Sequence, residues 1–386
     1  DNVQEELQEA LIEAESGDII ELAAGTYHLT LALSLDVDNV TIRGAGMEKT
    51  ILDFKNQIAG SEGLHISSDG VTLEDFAVLD TQGNGIKSND ANQIVYRRIS
   101  AGWSGGPKST NGAYGLYPVS STDVLIEGCF AFAGSDSGIY VGQSKNVIVR
   151  DSRAEYNVAG IEIENCHGAD VYNCVATKNT GGLLVFDLPD LPQQAGHDIR
   201  LFNNKVYDNS TPNFAPEGNI VASVPTGTGI LVMANKNVEI FDNDIRDHGT
   251  LNVLIISYFT NGIQINDPKY YPYAELIHIH NNTFGKSGFA PAGAFKDMLT
   301  QVVGSPMPDV LWDGVYNEEK MTNGVLDADA RIYVQDNVKT DGEVTMIDLG
   351  GILTAADPSQ AKLVRDPAAF AGSPAAIAPV VINGIN

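Results

Sequence analysis

Residues 138–184 read GIYVGQSKNVIVRDSRAEYNVAGIEIENCHGADVYNCVATKNTGGLL, and the stretch nearly repeats itself. Gly138-Ile139-Tyr140, Gly160-Ile161-Glu162 and Gly182-Leu183-Leu184 stand 22 residues apart. The same Gly-apolar pair occurs at Gly63, Gly85, Gly115 and Gly229, so the successive intervals are 22, 30, 23, 22, 22 and 47 residues. The two long intervals are single periods with insertions, Trp103–Thr110 in one, Asp187–Gln194 and Ser210–Thr226 in the other. A second column keeps the same register: Gly128, Asp151, Asn173, Asn203, Asp242, Asn281 and Asp336 each close an alternating apolar run, such as Val147-Ile148-Val149-Arg150-Asp151. Periods of this length mean stacked supersecondary units. Each unit holds two or three short β-runs with Gly, Asn or Asp corners and no helix, which excludes leucine-rich, ankyrin and tetratricopeptide arrays. A parallel β-helix fits, an all-β solenoid in which each coil hydrogen-bonds to the next at a spacing of about 4.8 Å.

The pattern predicts one domain over residues 1–386 with roughly ten coils. Open coil edges need caps. Residues 3–15, VQEELQEALIEAE, have helical apolar spacing and predict a capping helix within an N-terminal cap of residues 1–20. Residues 287–330 break the repeat and are expected to be an insertion with a short helix near 294–303. The Ala- and Pro-rich tail, 350–386, is expected to cap the solenoid. Asn157, Asn179 and Asn209 form a second corner column, since Asn tolerates left-handed backbone and bonds locally. Cys129, Ser152 and Cys174 share a column, so the two thiols lie two coils apart, roughly 9–10 Å, too far for a disulfide.

Charge narrows the functional classes. The chain has 23 Lys+Arg against 50 Asp+Glu, a formal net charge of −27. Such a surface repels nucleic acid and anionic lipid and attracts divalent cations. No apolar run reaches the roughly 18 residues of a membrane span.

Alternation along the strand after each Gly turns Ile86, Leu116, Ile139, Ile161, Leu183 and Ile230 inward. The next residues face outward in a column: His65, Lys87, Tyr117, Tyr140, Glu162, Leu184 and Leu231. Two positions on lies a second outward column containing Asn89, Val119, Gly142, Glu164, Phe186 and Met233. The insertions fall at the ends of this strand and are expected to wall a trough, whose floor would bind ligand.

The opening stretches GDIIELAAGTY (17–27) and NVTIRGAGMEKTILD (39–53) resemble first coils of the right-handed parallel β-helix repeat family of exported bacterial proteins. The resemblance covers about residues 3–285 and the coil at 331–337. It implies a right-handed, exported β-helix, and the family holds lyases, epimerases, hydrolases and non-catalytic adhesins. Tyr114-Gly115-Leu116-Tyr117-Pro118-Val119 resembles the Tyr-Gly-x-Asp-Pro-His motif of mannuronan C5-epimerases, with Tyr117 in place of the Asp and Val119 in place of the His. The Asp-Asp pair of polygalacturonase-like hydrolases does not occur. Pectate-lyase-like enzymes pair calcium-binding aspartates with a basic residue, and the middle coils are poor in Lys and Arg.

Two functions from different classes follow. One is an enzyme modifying a polysaccharide, of lyase or C5-epimerase type. Its candidate catalytic residues are Tyr117, Tyr140, Glu162 and Glu164, with substrate bound by Lys87, Trp103, Tyr114 and Phe186. Three chemistries fit: Glu162 and Glu164, about 6.6 Å apart at Cα, as acid and base of an inverting hydrolase, the less favoured enzyme class; a Ca²⁺ ion held by Glu162, Glu164 and Asp187; or a tyrosinate base at Tyr117 or Tyr140 with Lys87 or Ca²⁺ neutralising the sugar carboxylate. The other function is a non-catalytic carbohydrate-binding or cell-envelope structural protein. His278 and His280 alternate on one strand, a spacing that suits either two surface histidines or a metal pair.

Overall fold

The computed structural model describes residues 3–355, 361–382 and 384. The chain winds into a right-handed parallel β-helix whose coils each contribute up to three strands, as in Ser137–Gly142, Lys145–Arg150 and Arg153–Glu155. One long parallel sheet takes the second and third strands of the coils. An 11-stranded parallel sheet takes the first, from Leu31–Leu35 to Met346–Asp348. Pairing follows the repeat: Ile86, Leu116, Ile139, Ile161, Leu183, Ile230 and Val253 are register partners in sequence, and all are buried inside the solenoid.

The corner column is left-handed throughout. Gly128, Asp151, Asn173, Asn203, Asp242, Asn281 and Asp336 have φ from 52° to 64°, where a short polar side chain or none is tolerated. The Asn157, Asn179 and Asn209 column works differently from expectation. The left-handed residues there are the preceding ones, Tyr156, Lys178 and Asp208. The asparagines are fully buried and form a ladder: Asn157 donates its N–H and its amide to Asn179 Oδ1 (2.9 and 3.0 Å), and Asn179 does the same to Asn209 Oδ1 (both 3.0 Å). The cysteine column also continues as an asparagine ladder. Cys129 N–H donates to Ser152 Oγ, Cys174 N–H to Asn204 Oδ1, and then Asn204, Asn243 and Asn282 each to the next, ending on Asn337. All three cysteines are free and buried.

The N-terminal helix, Val3–Glu13, closes the first coil with Leu7 and Leu11. Its glutamines, also four apart, meet the open edge of the Leu31–Leu35 strand. Gln4 Oε1 accepts from Thr30 and Leu31 N–H (3.0 and 3.1 Å), and the Gln8 amide pairs with both N–H and C=O of Ser34 (2.9 and 3.0 Å). An edge that would otherwise template aggregation is thus satisfied.

Residues 287–330 are not a plain insertion. They include the helix Lys296–Val303, but Val310–Trp312 is also a rung of the 11-stranded sheet, pairing with Val253–Ile255. The tail does two jobs. Leu349, Ile352 and Leu363 pack on the outer face of that sheet. Residues 374–381 run across the other sheet, where Ile377 N–H donates to Glu239 and Val380 N–H to Asp170. Residues 1–2, 356–360, 383 and 385–386 of the expected caps lie outside the described residues.

The ladder can be tested. Asn179→Ala leaves the buried Asn157 N–H without its acceptor, and an unpaired buried group costs about 1–3 kcal/mol. The melting temperature followed by circular dichroism should fall clearly, and less for Asn337→Ala at the half-buried end of the other ladder. Equal effects would show that the ladders do not carry this stability.

Candidate functional site

The outward columns form as the spacing predicts. His65, Lys87 and Tyr117 are register partners, as are Tyr140, Glu162, Leu184 and Leu231. The floor they make is not an open trough along its length. Segments 187–196, 210–227, 257–274, 287–309, 349–355 and 361–363 fold over its far half. Leu184, Phe186, Leu231 and Met233 lie there in a second hydrophobic core with Tyr258, Tyr270 and Met307. A cavity of about 350 Å³ remains among Phe186, Leu231, Met233, Leu254 and Leu299. Phe186 is therefore a core residue and does not present itself to a polysaccharide. Trp103 is also no wall of a groove: it is 5% exposed, with its indole N–H donated to the Thr81 carbonyl (2.8 Å).

The near half stays open. Tyr114, Tyr117 and Tyr140 cluster with ring centroids 4.4 to 5.1 Å apart, and Lys87 Nζ lies 5.4 Å from the Tyr117 ring centre. Lys87, Tyr114 and Tyr117 are half-buried, forming a shelf with an aromatic face and one cation, itself 3.9 Å from Glu62. Tyr140 is buried beneath and donates its hydroxyl to Glu164 Oε1 (2.6 Å).

Under the shelf three carboxyls gather. Glu162 is 1% exposed, Glu164 6%, and Asp136 is buried at the preceding corner. Ser137 Oγ lies within hydrogen-bond distance of both Glu162 Oε2 and Asp136 Oδ1. A hydroxyl has one proton to donate. Ser137 can therefore satisfy only one of the two carboxylates at a time, so ionising both leaves one of these close contacts without a proton. Asn219, from the 210–226 segment, donates to the far oxygen of Asp136 (3.3 Å). No lysine or arginine pairs with any of the three among the described residues.

Burial without a cation raises all three proton affinities. Desolvation, then Asp136 and Glu164, holds Glu162 well above the carboxylate range. Burial pushes Glu164 and Asp136 up to about 7, each held back from rising further by its hydrogen bonds, Tyr140 on Glu164 and Ser137 and Asn219 on Asp136. Both carboxyls are raised and Glu162 is raised further, and unequal proton affinity in a neighbouring pair is the condition for separating an acid from a base. The tyrosines move the other way from what a base needs. Burial first, then neighbouring carboxylates, raises Tyr114, Tyr117 and Tyr140, so a tyrosinate base at Tyr117 or Tyr140 is not available near neutral pH.

Asp187 is near enough to raise Glu164 further, but its carboxyl is held elsewhere. It turns into the corner where its loop leaves, accepts from Gly196 N–H (2.8 Å) and is pushed by burial to about 7. Glu162, Glu164 and Asp187 do not bring three donor oxygens within 4.8 Å; the set that does so among the described residues is Glu239, His278 and His280. A calcium ion, which needs six to eight oxygens at 2.3–2.6 Å, does not fit these three as placed. Asp136, Ser137 and Asn219 are functional candidates that the repeat did not flag. Asp136 and Ser137 precede the glycine that marks the column, and Asn219 lies in an insertion without pattern.

The acid cluster makes stability depend on pH. Its folded-state pKa values are raised above those of an unfolded carboxyl, so the folded state binds protons more tightly. This contribution is fully present below about pH 4 and is lost as pH rises through about 7. The melting temperature should fall between pH 5 and 8, and Glu162→Gln and Glu164→Gln should flatten that slope. An unchanged slope in both variants would mean that these carboxyls are not the proton-binding groups.

The family model described as right handed beta helix region matches residues 34–191. No curated protein matches the chain in sequence. Among solved structures, the A-module of mannuronan C-5 epimerase AlgE4 of Azotobacter vinelandii superposes with a TM-score of 0.52 at 17% identity, over 87% of this chain and 90% of that one. The AlgE6 A-module of the same organism gives 0.52 at 17%, over 88% and 95%. The catalytic domain of Agl-KA gives 0.51 at 16%, over 79% and 58%. At these identities the likeness is one of fold. The chain resembles the right-handed parallel β-helix proteins, and its residues 34–191 are a right-handed β-helix region.

Proposed function

We propose that this protein binds a polysaccharide on the shelf of Lys87, Tyr114 and Tyr117 and transfers protons to and from it with Glu162 and Glu164. The observation that carries this reading is the carboxyl pair of unequal proton affinity beneath an open aromatic shelf. Glu164, near 7, is matched to act as a base at neutral pH. Glu162, held neutral and linked through Ser137 to Asp136, is the proton donor of the pair. Tyr140 positions Glu164 through its hydroxyl. Lys87 is the cation available to a sugar carboxylate, which points to an acidic polysaccharide and a lyase or epimerase outcome. Glu162 is buried and Asn219 lies on Asp136, so on this reading a substrate reaches the pair only by moving covering side chains aside. An exported location accords with such a substrate. No helix among the described residues is long and apolar enough to cross a membrane.

A second reading is non-catalytic carbohydrate binding. It is favoured by the depth of Glu162 and by Val119, which cannot move a proton where the epimerase motif has His.

A panel of uronate-rich and neutral polysaccharides separates them, read by unsaturated sugar ends and by deuterium incorporation at C5. Under the first reading Glu164→Gln lowers kcat by about 10²–10⁴-fold with its fold intact, and Tyr117→Ala raises KM. Binding without turnover on every glycan supports the second reading. Absence of binding across the panel overturns both.

A further inference from the structure

The opposite sheet carries a second cluster, far from the shelf in the coil cross-section. His278 and His280 lie on the strand Glu275–His280, with Ile277 and Ile279 turned into the core, so both imidazoles face outward. Glu239, on the preceding coil, is the register partner of His278. One donor atom from each residue lies within 4.8 Å of the other two, and His280 Nε2 is 3.0 Å from Glu239 Oε1.

Three observations separate this cluster from a surface ion pair. First, His278 is 6% exposed and its Nε2 is buried with no hydrogen-bond partner. Leaving such a group unpaired is costly, and a bond to an ion would relieve that cost. Second, the ligands are held. The His280 ring stacks on Phe241 at 5.3 Å and 2°, continuing the Tyr172, Phe202 and Phe241 stack, and the two imidazoles stack on each other at 4.0 Å. Third, the far oxygen of Glu239 accepts from Ile377 N–H of the tail (3.3 Å), the kind of outer contact that orients a metal-binding carboxylate. His280 keeps its side chain 16% exposed, which leaves an entry path.

We propose that Glu239, His278 and His280 bind a borderline divalent cation of the Zn²⁺ type. Two imidazoles and one carboxylate suit such an ion, whereas Ca²⁺ and Mg²⁺ prefer sets built of oxygen. The site is independent of the glycan shelf, and because Glu239 also holds the tail, the ion fastens residues 374–381 to the sheet.

The test is calorimetric titration of tag-free, chelator-treated protein with ZnCl₂, alongside CoCl₂ followed by visible absorption and CaCl₂ as the oxygen-preferring control. Saturable binding of one Zn²⁺ per chain is expected, with a Co²⁺ ligand-field band and no competition from Ca²⁺. His280→Gln, at the half-buried and more tolerant position, and His278→Ala should each weaken Zn²⁺ by more than the ~10–100-fold typical of losing an outer partner. Circular dichroism of both variants shows whether they remain folded. Absence of saturable Zn²⁺ binding to the parent, or undiminished binding to a folded His280→Gln variant, would overturn the proposal.

Discussion

Everything in this molecule depends on coils stacking in register through parallel main-chain hydrogen bonds. That spacing puts each side chain about 4.8 Å from its counterpart one coil away. Whatever a column contains is thereby concentrated. Aliphatic residues become the inner core of Ile86, Leu116, Ile139 and their successors. Asparagines become ladders in which each amide oxygen accepts from the N–H and amide of the asparagine on the preceding coil. Aromatic rings become the Tyr172, Phe202 and Phe241 stack.

The same geometry creates the conflict at the candidate site. Glu162 has Tyr140 on one side and Leu184 on the other, and Glu164 has Gly142 and Phe186. Neither Glu has a cation beside it. Ionising both would leave two charges in a dry region, where Coulomb repulsion and desolvation act together. Bound protons relieve the conflict, which is why burial raises the proton affinity of both. A sheet face that alternates tyrosine, carboxyl and aliphatic rungs is therefore a graded proton-binding surface as well as a packing surface.

The fold was legible because it is local information repeated. A glycine, an inward aliphatic residue and a left-handed corner recur at one period, and register follows from counting. The columns containing Lys87, Tyr117, Tyr140, Glu162 and Glu164 were legible for the same reason. What covers those columns was not. The segments 257–274, 287–309, 349–355 and 361–363 carry no period, and they reach the face through contacts between residues far apart in sequence. The Asn219 contact with Asp136 bridges 83 residues. Counting therefore placed Phe186 and Trp103 outside, and only packing shows that one lies under a lid and the other is anchored on Thr81. Asp187 illustrates the same limit. It follows Phe186 by one position, yet the chain turns there and the carboxyl faces a corner.

A stacked column can satisfy its polar groups by repetition, as the asparagine ladders do. In the asparagine ladders each rung's amide oxygen accepts the main-chain N–H of the rung before it. The orphans lie elsewhere. Asp187 Oδ2 and Asn235 Oδ1 are buried and unpartnered where an insertion leaves the sheet. His278 Nε2 is unpartnered where the column passes from Glu239 to Tyr333. Buried polar atoms without partners are few in native proteins, and each calls for a physical cause. In a solenoid the cause is narrowed by symmetry: a group that the repeat does not pair was not selected for stacking alone. At the acid cluster, too, the columns change type, since Glu162 and Glu164 stand between Tyr140 and Gly142 on one side and Leu184 and Phe186 on the other. Chemistry in this fold is therefore best sought at the rungs where a column changes its residue type.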